Sequence, residues 1–152
     1  MAAIYSDLEG KIVYVTGGAS GIGKAIVQAF AAQKAQVVFF DLNEQAGEGL
    51  ASELQQDRRS VHFIPLDLRD IDALQAAFAK ARTQVGPANI LINNAGMHYV
   101  SNSKQNALLD LSEMQTSKDG YDYSFAANYM GHFLLTRLLL PIMVQTEKST
   151  GS

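Results

Sequence analysis

Four short apolar runs, each followed by a stretch with helical spacing, constrain this chain more than any other feature. KIVYVT (11–16), QVVFFD (36–41), VHFIPLD (61–67) and NILIN (89–93) read as strands. They are continuous apolar runs, not alternating ones. A strand of that kind is buried on both faces, as in a parallel sheet covered by helices on either side. Between the strands lie GIGKAIVQAFAAQ (21–33), with Ile22, Ile26, Ala29 and Phe30 placed on one helical face, and NEQAGEGLASELQ (43–55). A third helix follows Asp70 as its N-cap, with Ile71, Leu74, Phe78, Ala81 and Val85 at helical spacing. Parallel strands joined by right-handed crossovers limit the chain to a doubly wound α/β sheet.

Beyond the fourth strand the pattern weakens. Residues 101–106 are polar and read as a loop, with a short helix possible across 107–114. Ser117 then reads as the cap of a long helix to about Gln145, with Tyr121, Phe125, Leu135, Leu139 and Ile142 among its apolar positions. Pro141 falls inside it and should kink or tighten it locally.

Composition narrows the class. The 152 residues are 47% hydrophobic, enough for one packed domain over 1–152. Lys and Arg number 12 against 15 Asp and Glu, for a net charge of −3, and they are scattered. Nucleic acid and acidic membrane surfaces are therefore poor partners. The chain has no cysteine, which excludes disulfides and thiolate metal sites and fits a reducing, cytoplasmic setting. The first residues show no basic, apolar secretory signal, and the apolar stretch at 133–144 is too short and broken to span a bilayer.

The segment TGGASGIG (16–23) joins the first strand to the first helix. A strand that reverses into a helix within a few residues needs small side chains. Gly21 leaves room for a pyrophosphate near the backbone, and Gly23 lets the helix pack closely on the strand. The helix N-terminus offers N–H groups and partial positive charge to an anion. A glycine cluster alone often marks an ordinary turn, but here it has the required strand–turn–helix context. Asp41 ends the second strand, 18 residues after Gly23. A carboxylate there accepts from both ribose hydroxyls and repels a 2′-phosphate, which predicts a dinucleotide, NAD in preference to NADP. The other reading of Asp41 is an N-cap for the next helix, a role Asn43 could take instead. His98 and His132 show no partner carboxylate in sequence and read as structural or pocket-lining, and His62 as surface or core filler.

These motifs resemble the short-chain dehydrogenase/reductase family. Its T-G-x-x-x-G-I-G pattern matches Thr16, Gly17, Gly21, Ile22 and Gly23, and its N-N-A-G after strand four matches Asn93, Asn94, Ala95 and Gly96. The resemblance implies a Rossmann-type fold with strand order 3-2-1-4. It implies that Asp67 contacts the adenine, that Asn94, Ala95 and Gly96 line the cofactor site and brace the sheet, and that Asn128 belongs to the proton relay. With Gly17, Ser20, Leu42 and Leu68 these complete the expected cofactor-side residues. Residues 119–140 resemble the retinol dehydrogenase and WW-domain oxidoreductase branch.

The family's hydride chemistry also needs a Ser, and a Tyr followed four residues later by a Lys. None of the six tyrosines is followed at that spacing by Lys. The resemblance places Ser, Tyr and Lys beyond Ser152, so the expectation is a cofactor-binding part truncated after strand four and the long helix. Strand 89–93 would then be an open edge, and Leu134 and Leu138 would be exposed. That leads to an expected homo-oligomer through strand 89–93 or helix 117–145. Two functions stay open: the cofactor half of an NAD-dependent alcohol or carbonyl dehydrogenase, or a dinucleotide-binding half-domain without catalysis.

Overall fold

The computed structural model describes residues 3–96, 116–117 and 119–150, with the side chains of residues 147, 149 and 150 left aside. The expected loop at 101–106, the helix at 107–114 and His98 lie outside the described residues. The chain divides into two compact units, Met1–Ala95 with Leu139–Ser152, and Gly96–Leu138.

The first unit is built on four strands: β1 Ile12–Thr16, β2 Gln36–Asp41, β3 Val61–Pro65 and β4 Ile90–Ile92. All pair in parallel in the order β3-β2-β1-β4, as expected. Three helices alternate with them: α1 Gly21–Ala32, α2 Glu44–Gln56 and α3 Ile71–Gln84. Strands three and four are shorter than their apolar runs. At the entrance of β4, Asn89 brackets Ile12: its side chain accepts from the Ile12 N–H at 2.9 Å and its own N–H donates to the Ile12 carbonyl at 2.8 Å. A polar side chain thus sets the register of an apolar strand.

Helices cover both faces of the sheet. On one face Val13, Val15, Val37, Phe39 and Val61 pack with Val27 and Ala31 of α1 and Leu50, Ala51 and Leu54 of α2. On the other, Tyr14, Phe40 and Phe78 of α3 form an aromatic cluster, with the Phe40 and Phe78 rings stacked at 4.3 Å. The buried face of α1 is Gly23, Val27 and Ala31, flanked by Ile26 and Phe30. This corrects the expected phase, because Ile22 is 77% exposed. The glycine, with no side chain to count as apolar, packs directly on the Gly17 backbone and the Asn94 side chain and is invisible to hydrophobic periodicity.

Caps settle two expectations. Asn43, not Asp41, caps α2, accepting from the Ala46 N–H at 3.1 Å. Asp70 caps α3 through the Ala73 N–H at 3.0 Å, as its sequence position predicts.

In the second unit, α4 spans Tyr123–Phe125 and runs through a π-helical stretch, Ala126–Gly131, into α5, His132–Thr150, whose residues from Leu139 on belong to the first unit. The cap is Asp122, whose carboxylate accepts from the Phe125 N–H at 2.8 Å. This corrects Ser117, which instead closes the preceding turn: its hydroxyl accepts from the Tyr121 N–H and its own N–H donates to the Tyr121 carbonyl. The helix also extends past the expected end at Gln145. Its irregular part lies at residues 126–131, upstream of the Arg137 carbonyl that Pro141 leaves without its usual donor, so Pro141 does not account for it. Leu135 is buried, whereas Leu134 and Leu138 are about half exposed, at 48% and 52%.

Tyr14 carries a pH prediction. Its hydroxyl donates to the Gly86 carbonyl at 2.7 Å, and burial pushes its pKa up to about 12 despite the opposing charge of Arg82. In the unfolded chain the phenol ionises near pH 10. The unfolded state therefore loses its proton first, and the stability from this group, full below about pH 10, is lost as pH rises through about 12. Urea midpoints measured from pH 9 to 12 should fall more steeply for the wild type than for Tyr14→Phe. Parallel slopes would refute the assignment.

Candidate functional site

The C-terminal ends of β1, β2 and β4 meet at the glycine turn. Thr16, the last residue of β1 and the one buried polar residue among the described residues, organises the β4 side. Its hydroxyl oxygen accepts from the N–H groups of Asn94 and Ala95, each at 3.1 Å. The Asn94 side-chain amide donates to the Thr16 carbonyl at 3.1 Å and to the Gly17 carbonyl at 2.9 Å. Asn94 therefore braces the turn with its side chain. Gly17 has φ +68 and lies so close to Ala95 that a Cβ would sit 2.8 Å from the Ala95 Cα. A Cβ on Gly23 would collide with the Gly17 carbonyl oxygen and lie 2.6 Å from the Asn94 amide nitrogen.

The β2 side holds the other half of the turn. The N–H groups of Gly17 and Gly18 donate to the Phe40 carbonyl at 2.7 and 3.3 Å. The Ala19 N–H donates to Asp41 Oδ2 at 2.9 Å, and the Asn43 N–H donates to Asp41 Oδ1 at 3.0 Å. Each carboxylate oxygen thus keeps acceptor capacity for one further donor.

After Ala19 the turn opens. Ser20 is exposed, and its side chain makes no capping bond to α1, unlike Asn43 and Asp70 at the starts of α2 and α3. Gly21 has φ +52, and nothing lies within 4 Å of where its Cβ would point. The start of α1 thus has no capping side chain at Ser20 and open space where a Gly21 side chain would be, a shape that fits a pyrophosphate. Ile22, in the first turn of α1, and Leu42, just after β2, are 77% and 64% exposed.

Asp67 follows β3. Its carboxylate accepts from the Arg69 guanidinium, with Nη2 to Oδ2 at 2.6 Å and Nε to Oδ1 at 2.9 Å, and from the Arg69 backbone N–H at 3.0 Å. These bonds, the guanidinium's first, hold the Asp67 carboxyl below the usual carboxylate range. Arg69 was not legible as a site residue; its only signal is its place two residues after an acid. Leu68 between them is half-buried. Gly96 is exposed, and Asn128 lies in the π-helical stretch of the second unit. Among the described residues no group of His, Cys, Asp and Glu could hold a metal, and no helix is long and apolar enough to cross a membrane.

A parallel sheet in the order 3-2-1-4 with a glycine turn between β1 and α1 defines a Rossmann-type, nucleotide-binding α/β protein. Residues 11–152 match the family model of the short chain dehydrogenases, and the chain belongs to that family. It is 36% identical over 152 residues to the L-fucose dehydrogenase of Mus musculus, a match that covers 100% of this chain and 50% of that protein. Among solved structures, it resembles the 3-ketoacyl-(acyl-carrier-protein) reductase of Brucella melitensis complexed with NADH, with a TM-score of 0.74 and 29% identity over 95% of this chain and 54% of that one. A blue fluorescent protein from a metagenomic library, in complex with NADPH, gives a TM-score of 0.73 and 29% identity over 90% and 52%. The chain spans about half the length of the curated relatives it matches.

Proposed function

We propose that this chain is the cofactor-binding part of an NAD-dependent short-chain dehydrogenase or reductase, acting between an alcohol and its carbonyl. One observation carries the reading: the Asp41 carboxylate is hydrogen-bonded to the glycine turn itself, through Ala19. The acid therefore stands beside the open start of α1. There its two free acceptor sites suit the 2′- and 3′-hydroxyls of an adenosine ribose, and its charge opposes a 2′-phosphate.

In this reading the N–H groups at Gly21, Ile22 and Gly23 hold the pyrophosphate. Thr16 and Asn94 keep those groups in place. Asp67 meets the adenine only where Arg69 yields an oxygen to it. A bound nicotinamide supplies the hydride acceptor. Asn128 takes part in the proton relay that the family pattern implies.

The second reading is that these 152 residues bind a dinucleotide without turning it over. We extend the proposal to self-association, supported by exposed Phe133, Leu134, Leu138 and Leu140 on α5.

Calorimetric titration of NAD and NADP, with light-scattering mass measured on the same sample, tests all of this. NAD should bind more tightly than NADP, and the mass should exceed that of one chain. Asp41→Ala should weaken NAD by roughly tenfold or more, the loss of two hydrogen bonds to a charged acceptor, and narrow the difference from NADP. An unchanged preference would refute the ribose assignment. NADH production from an alcohol separates the first reading from the second.

A further inference from the structure

Asp41 does more in this fold than face a ligand. Three successive N–H groups of the turn, those of Gly17, Gly18 and Ala19, are tied to the end of β2. The first two reach a backbone carbonyl, which no side-chain substitution removes. The third reaches a side chain. Ala19 is 4% exposed, so its N–H has little access to water as a replacement acceptor. The other bond to Asp41, from the Asn43 N–H, is exposed, and water can take that acceptor's place.

We infer that Asp41 is a positioning residue for the glycine turn as well as the selector of the ribose: its Oδ2 fixes Ala19, and through Ala19 the backbone that leads to Ser20 and Gly21. The inference deepens the proposed function and rests on it for the cofactor. The hydrogen bond itself exists without one.

The two roles make different demands on the side chain. Selection against NADP needs the negative charge. Positioning needs only an oxygen that accepts from the buried Ala19 N–H. Asp41→Asn and Asp41→Ala both remove the charge, but only Asn keeps an oxygen in reach. Its amide group can turn toward Asn43, whose exposed N–H is then solvated. If repulsion were the whole role of Asp41, the two variants would bind NADP equally. If the residue also holds the turn, they separate. Because Asn can also bond the ribose directly, the exchange at Ala19 is what separates positioning from direct contact.

The test has two measurements on the full chain. The first is amide hydrogen exchange at Ala19 without cofactor. Exchange should speed by about tenfold in Asp41→Ala, the equivalent of one hydrogen bond, and stay within about threefold of the wild type in Asp41→Asn. Unchanged exchange in Asp41→Ala overturns the inference. The second is titration with NADP, where Asp41→Asn should bind about tenfold more tightly than Asp41→Ala. Equal affinities overturn it too. If no variant and no wild-type protein binds either dinucleotide, the proposed function fails, and the exchange at Ala19 still decides the positioning role.

Discussion

Gly23→Ala is expected to destroy the glycine turn, whereas Gly21→Ala, two positions away, is expected to leave a folded protein that no longer holds a dinucleotide. The two glycines differ in what surrounds them. A Cβ on Gly23 meets the Gly17 carbonyl oxygen and, at 2.8 Å, its carbon. Those are backbone atoms held by Asn94, so they cannot step aside as the end of a flexible side chain would. Overpacking of this kind costs about 1–3 kcal/mol or more, and here it also pushes α1 off the sheet. A Cβ on Gly21 meets nothing within 4 Å. The φ of +52 charges an alanine about 1–2 kcal/mol for the left-handed conformation, a loss a domain can survive. The added methyl then occupies the space proposed for the pyrophosphate. Thermal melts and NAD titrations of both variants decide it. Gly23→Ala should lower Tm by roughly 4 °C or more; Gly21→Ala should melt closer to the wild type while binding NAD at least about tenfold more weakly. Wild-type affinity in Gly21→Ala would refute the placement of the pyrophosphate.

Thr16→Val should cost about as much as a large core deletion, although it changes the side chain's shape very little. Thr16 is completely buried, and its hydroxyl accepts from both the Asn94 and Ala95 N–H groups. Valine fills the same volume and accepts nothing. Two part-buried N–H groups lose this acceptor, at roughly 1–3 kcal/mol each, against a total stability of about 5–15 kcal/mol for a typical domain. Thr16→Ser keeps the oxygen and removes only a methyl, so it should retain most of the stability. Denaturant midpoints for the two variants provide the measure. Equal loss in both would mean that packing, not the hydroxyl, holds the ends of β1 and β4 together.

Part of the candidate site is legible in the sequence and part is not, and the difference is physical. Gly17, Gly21, Gly23 and Asp41 are readable because spacing alone forces a tight strand-to-helix turn with an acid at the end of the next strand. Asn43 and Asp70 are readable as caps because a cap is local: the acceptor and its N–H are three residues apart. Ser117 misleads for the same reason. It is a good capping residue placed before an apolar run, but it spends its hydrogen bonds on its own turn, and Asp122 five residues later starts the helix. The phase of α1 is misread because Gly23, which begins its buried face, adds nothing to an apolar pattern.

By itself the sequence determined the alternation of four strands with helices and the glycine turn at the end of the first; the burial on both faces that it also implied holds for the central β1 and β2 and not for the edge strand β4, whose three residues are all only half-buried. The alternation and the turn follow from short-range rules, since the period of apolar residues and the steric demands of a reversal act over a few positions. Only the tertiary structure decided how that turn is held. Thr16 reaches Asn94 across 78 positions of sequence and Ala19 reaches Asp41 across 22. Such bonds exist because parallel strands bring distant residues to the same end of one sheet, where buried N–H groups must find acceptors. No local pattern records which acceptor each one finds.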